Sequence, residues 1–410
     1  MNQNSPIEFD PASPAFAENP YGVYRQLRAL DEPWYSPTTR SYLLSRYEVV
    51  DAAARNPLLV RGDESFTTPE QRRLNQEEAN WHNMPNHEQF VQFSLLEVDG
   101  EQHQRLRRVV MKHMHRRRVQ SMQSFVEHQV SELLNEVLQG GQVDFINAFA
   151  AHLPGYIIGH LLGVPDQDCP TLRKWSEDIV QYFDVNRTTE RKQRAERATA
   201  EFAQFIEELI RTKTRQPDDS LIFDLMGEEN SGALNRQELI STCMLILMAG
   251  HGSTIDLCGN GLLALLQHPA HMQTLRAQPE LMPAAVEEMF RFDAPLPYFH
   301  RYASTQVTVM GQDFPAGTCF GLLYGAANRD ETQFDHPDEF RLDRSNLRHL
   351  AFGRGAHLCL GNHLSRLELT ITFQQLLQTT RHIELTSPPQ FKAGLSARGL
   401  QRLELVVSAA

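Results

Sequence analysis

AFGRGAHLCLG, residues 351–361, is the stretch whose reading decides the fold. It sets Cys359 among three glycines, a histidine and an arginine, in a chain that has five cysteines in all. Apolar residues follow at 360, 364, 367 and 371, a helical spacing, so the pattern predicts a helix starting at Cys359 and running to about Gln378. A cysteine at a helix N-terminus meets unpaired amide hydrogens and the positive end of the dipole, which favour thiolate over thiol. Gly353, Gly355 and Gly361 allow sharp turns and the close approach of a flat partner.

Working outward, no second sulfur lies nearby, so Cys359 alone cannot build a zinc or iron–sulfur site. One thiolate is enough for an axial ligand to haem iron. Upstream, Glu288-Met289-Phe290-Arg291 places a carboxylate and a guanidinium three apart, on one helix face. Asn235 and Glu238 form a capping-box variant that opens a long helix, which the pattern carries to Gln267 before Pro269. Gly250, Gly252, Gly259 and Gly261 lie inside it, each costing ~1 kcal/mol relative to alanine, which suggests close approach by another body. In Glu101–Arg108, His103 and Arg107 stand four apart and share a face.

These motifs, in this order, resemble those of the cytochrome P450 superfamily. Phe352-Gly353-x-Gly355-x-His357-x-Cys359-x-Gly361 matches the haem-binding loop at each fixed position. The resemblance implies a mainly α fold with small β-sheets, the haem lying between the long distal helix and the proximal cysteine-loop helix. It implies haem b as cofactor, Cys359 as the iron ligand, and Phe352 as a shield over the sulfur. His357, His103, Arg107 and Arg301 would reach the haem propionates. Ala249 and Gly250 would pass over the distal face. Glu288 and Arg291 would close a buried network with Arg344. Leu245, Met248, Pro297 and Phe299 would line the substrate pocket, with the 61–95 segment and a lid near 170–190.

One departure stands out. Where the family reads Ala-Gly-x-acid-Thr-Thr, this chain reads Ala249-Gly250-His251-Gly252-Ser253-Thr254. The acid and first alcohol serve proton delivery during dioxygen activation. Gly252 has no side chain for that task, Ser253 keeps a hydroxyl, and Asp256 lies one turn on. Ordinary oxygenase chemistry is the expectation, and Ser253, Thr254, Gly252 and Asp256 are the positions that carry it. Peroxide use, a substrate-assisted proton route, or a haem-binding protein without oxygenase turnover are the alternatives.

Composition agrees with a globular enzyme: 41% hydrophobic and 22% charged residues, with 39 basic against 51 acidic side chains and a net charge of −12. That balance argues against a protein devoted to nucleic acid. The polar, proline-containing N-terminus lacks the pattern of a signal peptide, and no membrane anchor is expected. Scattered cysteines argue against a disulfide framework and for the cytoplasm. One catalytic domain over 1–410, acting as a monomer on a small organic substrate in bacterial specialised metabolism, is the expectation. Electrons would come from ferredoxin and ferredoxin reductase, docking where Arg105, Arg107, Arg108, Lys112, Arg116, Arg117 and Arg118 cluster. Residues 61–95 read as a long mobile loop with one short helix, and Trp81, His82, Asn83, Asn86 and His87 would give the pocket a polar wall.

Overall fold

The computed structural model describes residues 7–184 and 187–410. Helices dominate, and the longest, Arg236–Gln267, runs 32 residues, about 48 Å, through the middle of the largest apolar core. Its start is fixed by the full capping box: the Asn235 side chain accepts from the Glu238 amide at 2.9 Å, and the Glu238 carboxylate accepts from the Asn235 amide at 3.0 Å. It ends at His268, ahead of Pro269. By length and composition it could cross a membrane, but 72% of its most apolar window is buried inside the protein. It is a core helix.

The sheets are small. The largest has five strands in the order Trp34–Ser36, Ser41–Leu44, Cys319–Leu323, Tyr298–Ala303 and Leu59–Val60. All its pairings are antiparallel except Ser41–Leu44 with Cys319–Leu323. Arg301 sits opposite Phe320 in that register, so the sheet carries this arginine into the interior at 4% exposure.

Two expectations are corrected and a third is made specific. The 61–95 segment holds more helix than the one short helix expected: Thr68 caps a ten-residue helix, Pro69–Glu78, with proline at its first turn, and Pro85–His87 and Glu88–Gln92 add further turns. Weak apolar periodicity hid the length of the first, because none of its residues is buried. The final helix starts at Asn362, not Cys359. Cys359 N donates to Phe352 O at 2.9 Å, which closes the loop first and leaves Gly361 as the helix cap. Finally, the glycines of the long helix are approached by neighbouring helices. A Cβ would lie 2.6 Å from Ile158 at Gly250, 2.6 Å from Ile146 at Gly259 and 2.7 Å from Met289 at Gly261. Gly252 differs, with nothing within 4 Å of its missing Cβ.

Candidate functional site

The loop that carries Cys359 is shaped by two left-handed glycines, Gly353 at φ +68° and Gly355 at φ +70°. At Gly355 a side chain is also excluded by space, since a Cβ would lie 2.6 Å from the Ala54 carbonyl. Burial raises the Cys359 thiol above its ordinary pKa, while the amides of Gly361 and Asn362 and the charges of Arg107 and Arg366 pull it back. A thiolate there would meet the amide donors of Gly361 and Asn362 and the positive charge of two arginines.

Buried imidazoles and guanidinium groups converge on the loop's other edge. His103, 2% exposed, lies against His357, ring centres 4.3 Å apart. Its Nε2 is buried without a partner. Burial, then the nearby charges of His357 and Arg107, lower its pKa to about 4. Arg301 donates to the His300 carbonyl at 2.8 Å and forms no ion pair with a carboxylate among the described residues. Burial and the neighbouring Arg61 push its pKa down to about 10. Arg107 takes a different direction from the expected one, donating to the Leu358 carbonyl on the cysteine loop. The four-residue spacing placed it beside His103, but its longer side chain reaches past that ring.

Two residues of this cluster gave no sequence signal. Asp99 accepts from the amides of Arg61 and Gly62 at 2.6 and 3.1 Å and from His357 Nε2 at 3.0 Å. Burial raises its pKa, but the His357 bond and those two amides outweigh it, and the carboxyl stays below its ordinary value. Arg61 pairs with Glu97, donates to the His300 carbonyl at 3.1 Å and lies 5.5 Å from the Phe299 ring centre. Arg61 follows a two-residue strand, and nothing in its local sequence marks it.

A buried guanidinium without an anion and an orphaned imidazole nitrogen are costly unless a partner brings negative charge. Haem fits this edge, since its two propionates would satisfy Arg301, His103 and His357 while its iron meets Cys359.

Support for the loop comes from two networks. Arg291 donates to both oxygens of Glu288 at 2.7 and 2.8 Å, both residues at 0% exposure, and Arg344 Nε joins at 2.8 Å. The expected triad is in place. The second was not anticipated. Glu287, the residue before Glu288, binds Arg366 Nη2 at 3.0 Å and His349 Nε2 at 3.1 Å. Arg366 in turn lies 4.4 Å from the Phe352 ring centre, and so fixes the residue beside the cysteine.

On the long helix, Ala249, Gly252, Ser253 and Asp256 fall on one face, while Thr254 is turned away and buried, at 4% exposure. Ser253 Oγ donates to the Ala249 carbonyl at 3.1 Å. Asp256 is committed rather than open: it is 2% exposed, and Lys392 Nζ donates to its Oδ1 at 2.6 Å. Burial raises the Asp256 pKa and Lys392 partly offsets that. Leu245 and Met248 are buried one turn or less before Ala249, Pro297 packs against Gly325, and Phe299 meets Tyr324 edge-on at 6.1 Å.

Two residues of the expected polar wall are committed to contacts of their own. His87 is fully buried in an aromatic cluster with Trp81, Tyr182 and Phe183. Asn86 and the His87 amide bind the Glu196 carboxylate, at 2.7 to 3.0 Å. The basic stretch is also partly spent: Arg105 pairs with Glu238, Lys112 with Glu228 and Arg118 with Asp224. Arg108, Arg116 and Arg117 remain exposed.

Known proteins agree with this fold. The family model for cytochrome P450 matches residues 71–401. The polyketide biosynthesis cytochrome P450 PksS of Bacillus subtilis (strain 168) is 32% identical, over 98% of this chain and 99% of its own. The solved structure of P450BioI in complex with hexadec-9Z-enoic acid ligated acyl carrier protein superposes with a TM-score of 0.89 at 28% identity, covering 97% of this chain and 100% of that one. A myxobacterial cytochrome P450, CYP267B1, in complex with myristic acid gives 0.88 at 29%, covering 96% and 98%. With the cysteine loop, the buried triad and a cradle suited to haem b in one fold, the chain belongs to the cytochrome P450 family of monooxygenases.

Proposed function

We propose that this enzyme uses Cys359 as the haem thiolate ligand, with His103, His357 and Arg301 holding the propionates and Arg107 bracing the cysteine loop. The observation that carries the reading is the set of buried, anion-seeking donors around a single cysteine loop. Haem held there would supply dioxygen activation, which Cys359 as thiolate ligand would assist by donating electron density. The chain's own residues then do the positioning. Ala249 and Gly250 form the floor of the distal space, and Leu245, Met248, Pro297 and Phe299 its apolar walls. Ser253 Oγ holds a proton on that face. Asp256, one turn on and paired with Lys392, takes the place of the acid that Gly252 lacks, and the room beside Gly252 admits a water between them.

The substrate class is a small molecule with a long apolar body, a reading that the acyl chains held by two solved relatives support. Residues 1–410 act as one domain and as a monomer in the bacterial cytoplasm, in specialised metabolism. Ferredoxin and ferredoxin reductase supply electrons through the face carrying Arg108, Arg116 and Arg117. The test loads the protein with haem, supplies electrons from a ferredoxin pair under isotopically heavy dioxygen, and offers a compound that shifts the Soret band. One heavy oxygen atom in the product per NADPH is expected. NADPH consumption that ends only in peroxide, with no labelled product, would count against the reading.

A further inference from the structure

Beyond the haem cradle, one more cation forms no ion pair with a carboxylate among the described residues. Arg187 ends the segment between the helices Cys169–Val180 and Thr189–Arg215. Its guanidinium lies 4.9 Å from the Trp81 ring centre. It also stands close enough to Tyr182, Tyr302 and Tyr298 to interact with them electrostatically, and it depresses the pKa of His300. Three of the elements expected to wall the substrate channel meet at this side chain: the Trp81 segment, the lid, and the strand Tyr298–Ala303.

The guanidinium is poorly satisfied there. Its Nε donates to the Tyr182 carbonyl at 3.2 Å, and Nη2 reaches the Phe183 carbonyl at 3.5 Å, a weak contact. No carboxylate forms an ion pair with it among the described residues. Asp184, three residues earlier, adds its negative charge at a distance, while its Oδ2 accepts from the amides of Leu395 and Ser396 and from the Ser396 hydroxyl. Asn80, meanwhile, fixes the backbone, since its Nδ2 donates to the Arg187 carbonyl at 2.9 Å. The arginine is thus held among elements expected to wall the channel, with planar, paired donors to spare, the geometry that suits a carboxylate.

We propose that Arg187 receives a carboxylate of the substrate, which makes the substrate a free carboxylic acid with an apolar body. This rests on the pocket reading given above. A carrier-linked thioester would lack the group that Arg187 recognises. The rival account is that Arg187 only clamps the lid to Trp81.

Isothermal titration of the haem-loaded enzyme separates the two. The probes are the straight-chain acids from octanoic to octadecanoic and their methyl esters. At least one acid is expected to bind roughly ten- to hundredfold more tightly than its ester, the range for a desolvated charge-assisted pair. Arg187→Met should remove that difference by weakening the acid alone, and Arg187→Lys should restore part of it. Equal binding of acid and ester, equal weakening of both in Arg187→Met, or no binding across the whole series would each overturn the proposal. A normal thiolate Soret band in the same samples would leave the monooxygenase reading standing.

Discussion

At Gly252 a missing side chain changes the chemistry of its neighbours. The sequence shows that the acid is absent, and also that Ser253 and Asp256 share its face. It does not show that Asp256 is sealed and bound by Lys392, because Lys392 comes from 136 residues further along the chain. A contact of that separation leaves no local pattern. Restoring the acid should disturb what now works. Gly252→Glu fits sterically, with nothing within 4 Å of the Cβ. It should nonetheless fill the space that the proposed proton route leaves for a water between Ser253 and Asp256, lowering product per NADPH and raising hydrogen peroxide release several-fold. Ser253→Ala should uncouple in the same way with haem content intact. Unchanged coupling in both variants would place the proton route on other residues.

At the scale of elements, helices were the most legible, because capping residues and apolar spacing are local. Asn235 with Glu238 and the stop at Pro269 delimit the long helix to within a residue. The start of the final helix was misplaced because the cysteine's own backbone bond to Phe352 delays it, and no propensity reports that bond. Glu287 was overlooked beside the recognisable Glu288, although the adjacent pair serves two different networks. Its pKa is held at about 2 instead of 4.5: burial opposes this, but hydrogen bonds from His349 and Arg366 outweigh it. Burial also keeps His349 below its ordinary value, so near neutral pH it donates as a neutral imidazole and Arg366 carries the charge. A depressed folded-state value stabilises the protein above the unfolded pKa, and the gain is lost as pH falls through the folded one. Glu287→Gln should therefore melt below wild type at neutral pH, by an amount on the order of 2 kcal/mol. That gap should close as pH drops from 4.5 toward 2, and a pH-independent gap in the melting curves would show that the ion pairs contribute little.

For the whole molecule, the motifs located the haem cradle and a lid near 170–190, but not how the lid packs. The Trp81 segment read as a polar wall, and only its meeting with Tyr182 and Phe183 forms an aromatic cluster around His87. The cradle itself was legible because its residues recur at fixed spacings, whereas Arg61 and Asp99 enter it through sheet register and a turn. Both ends of the account meet at one sulfur. The direct test is the absorption spectrum of the reduced carbon monoxide complex, taken for wild type beside Cys359→Ala. Wild type should give the red-shifted Soret band of thiolate ligation, and the variant should lose it, because no other residue of 351–361 offers a soft anionic ligand. A wild-type band surviving in Cys359→Ala would contradict the assignment on which the active site rests.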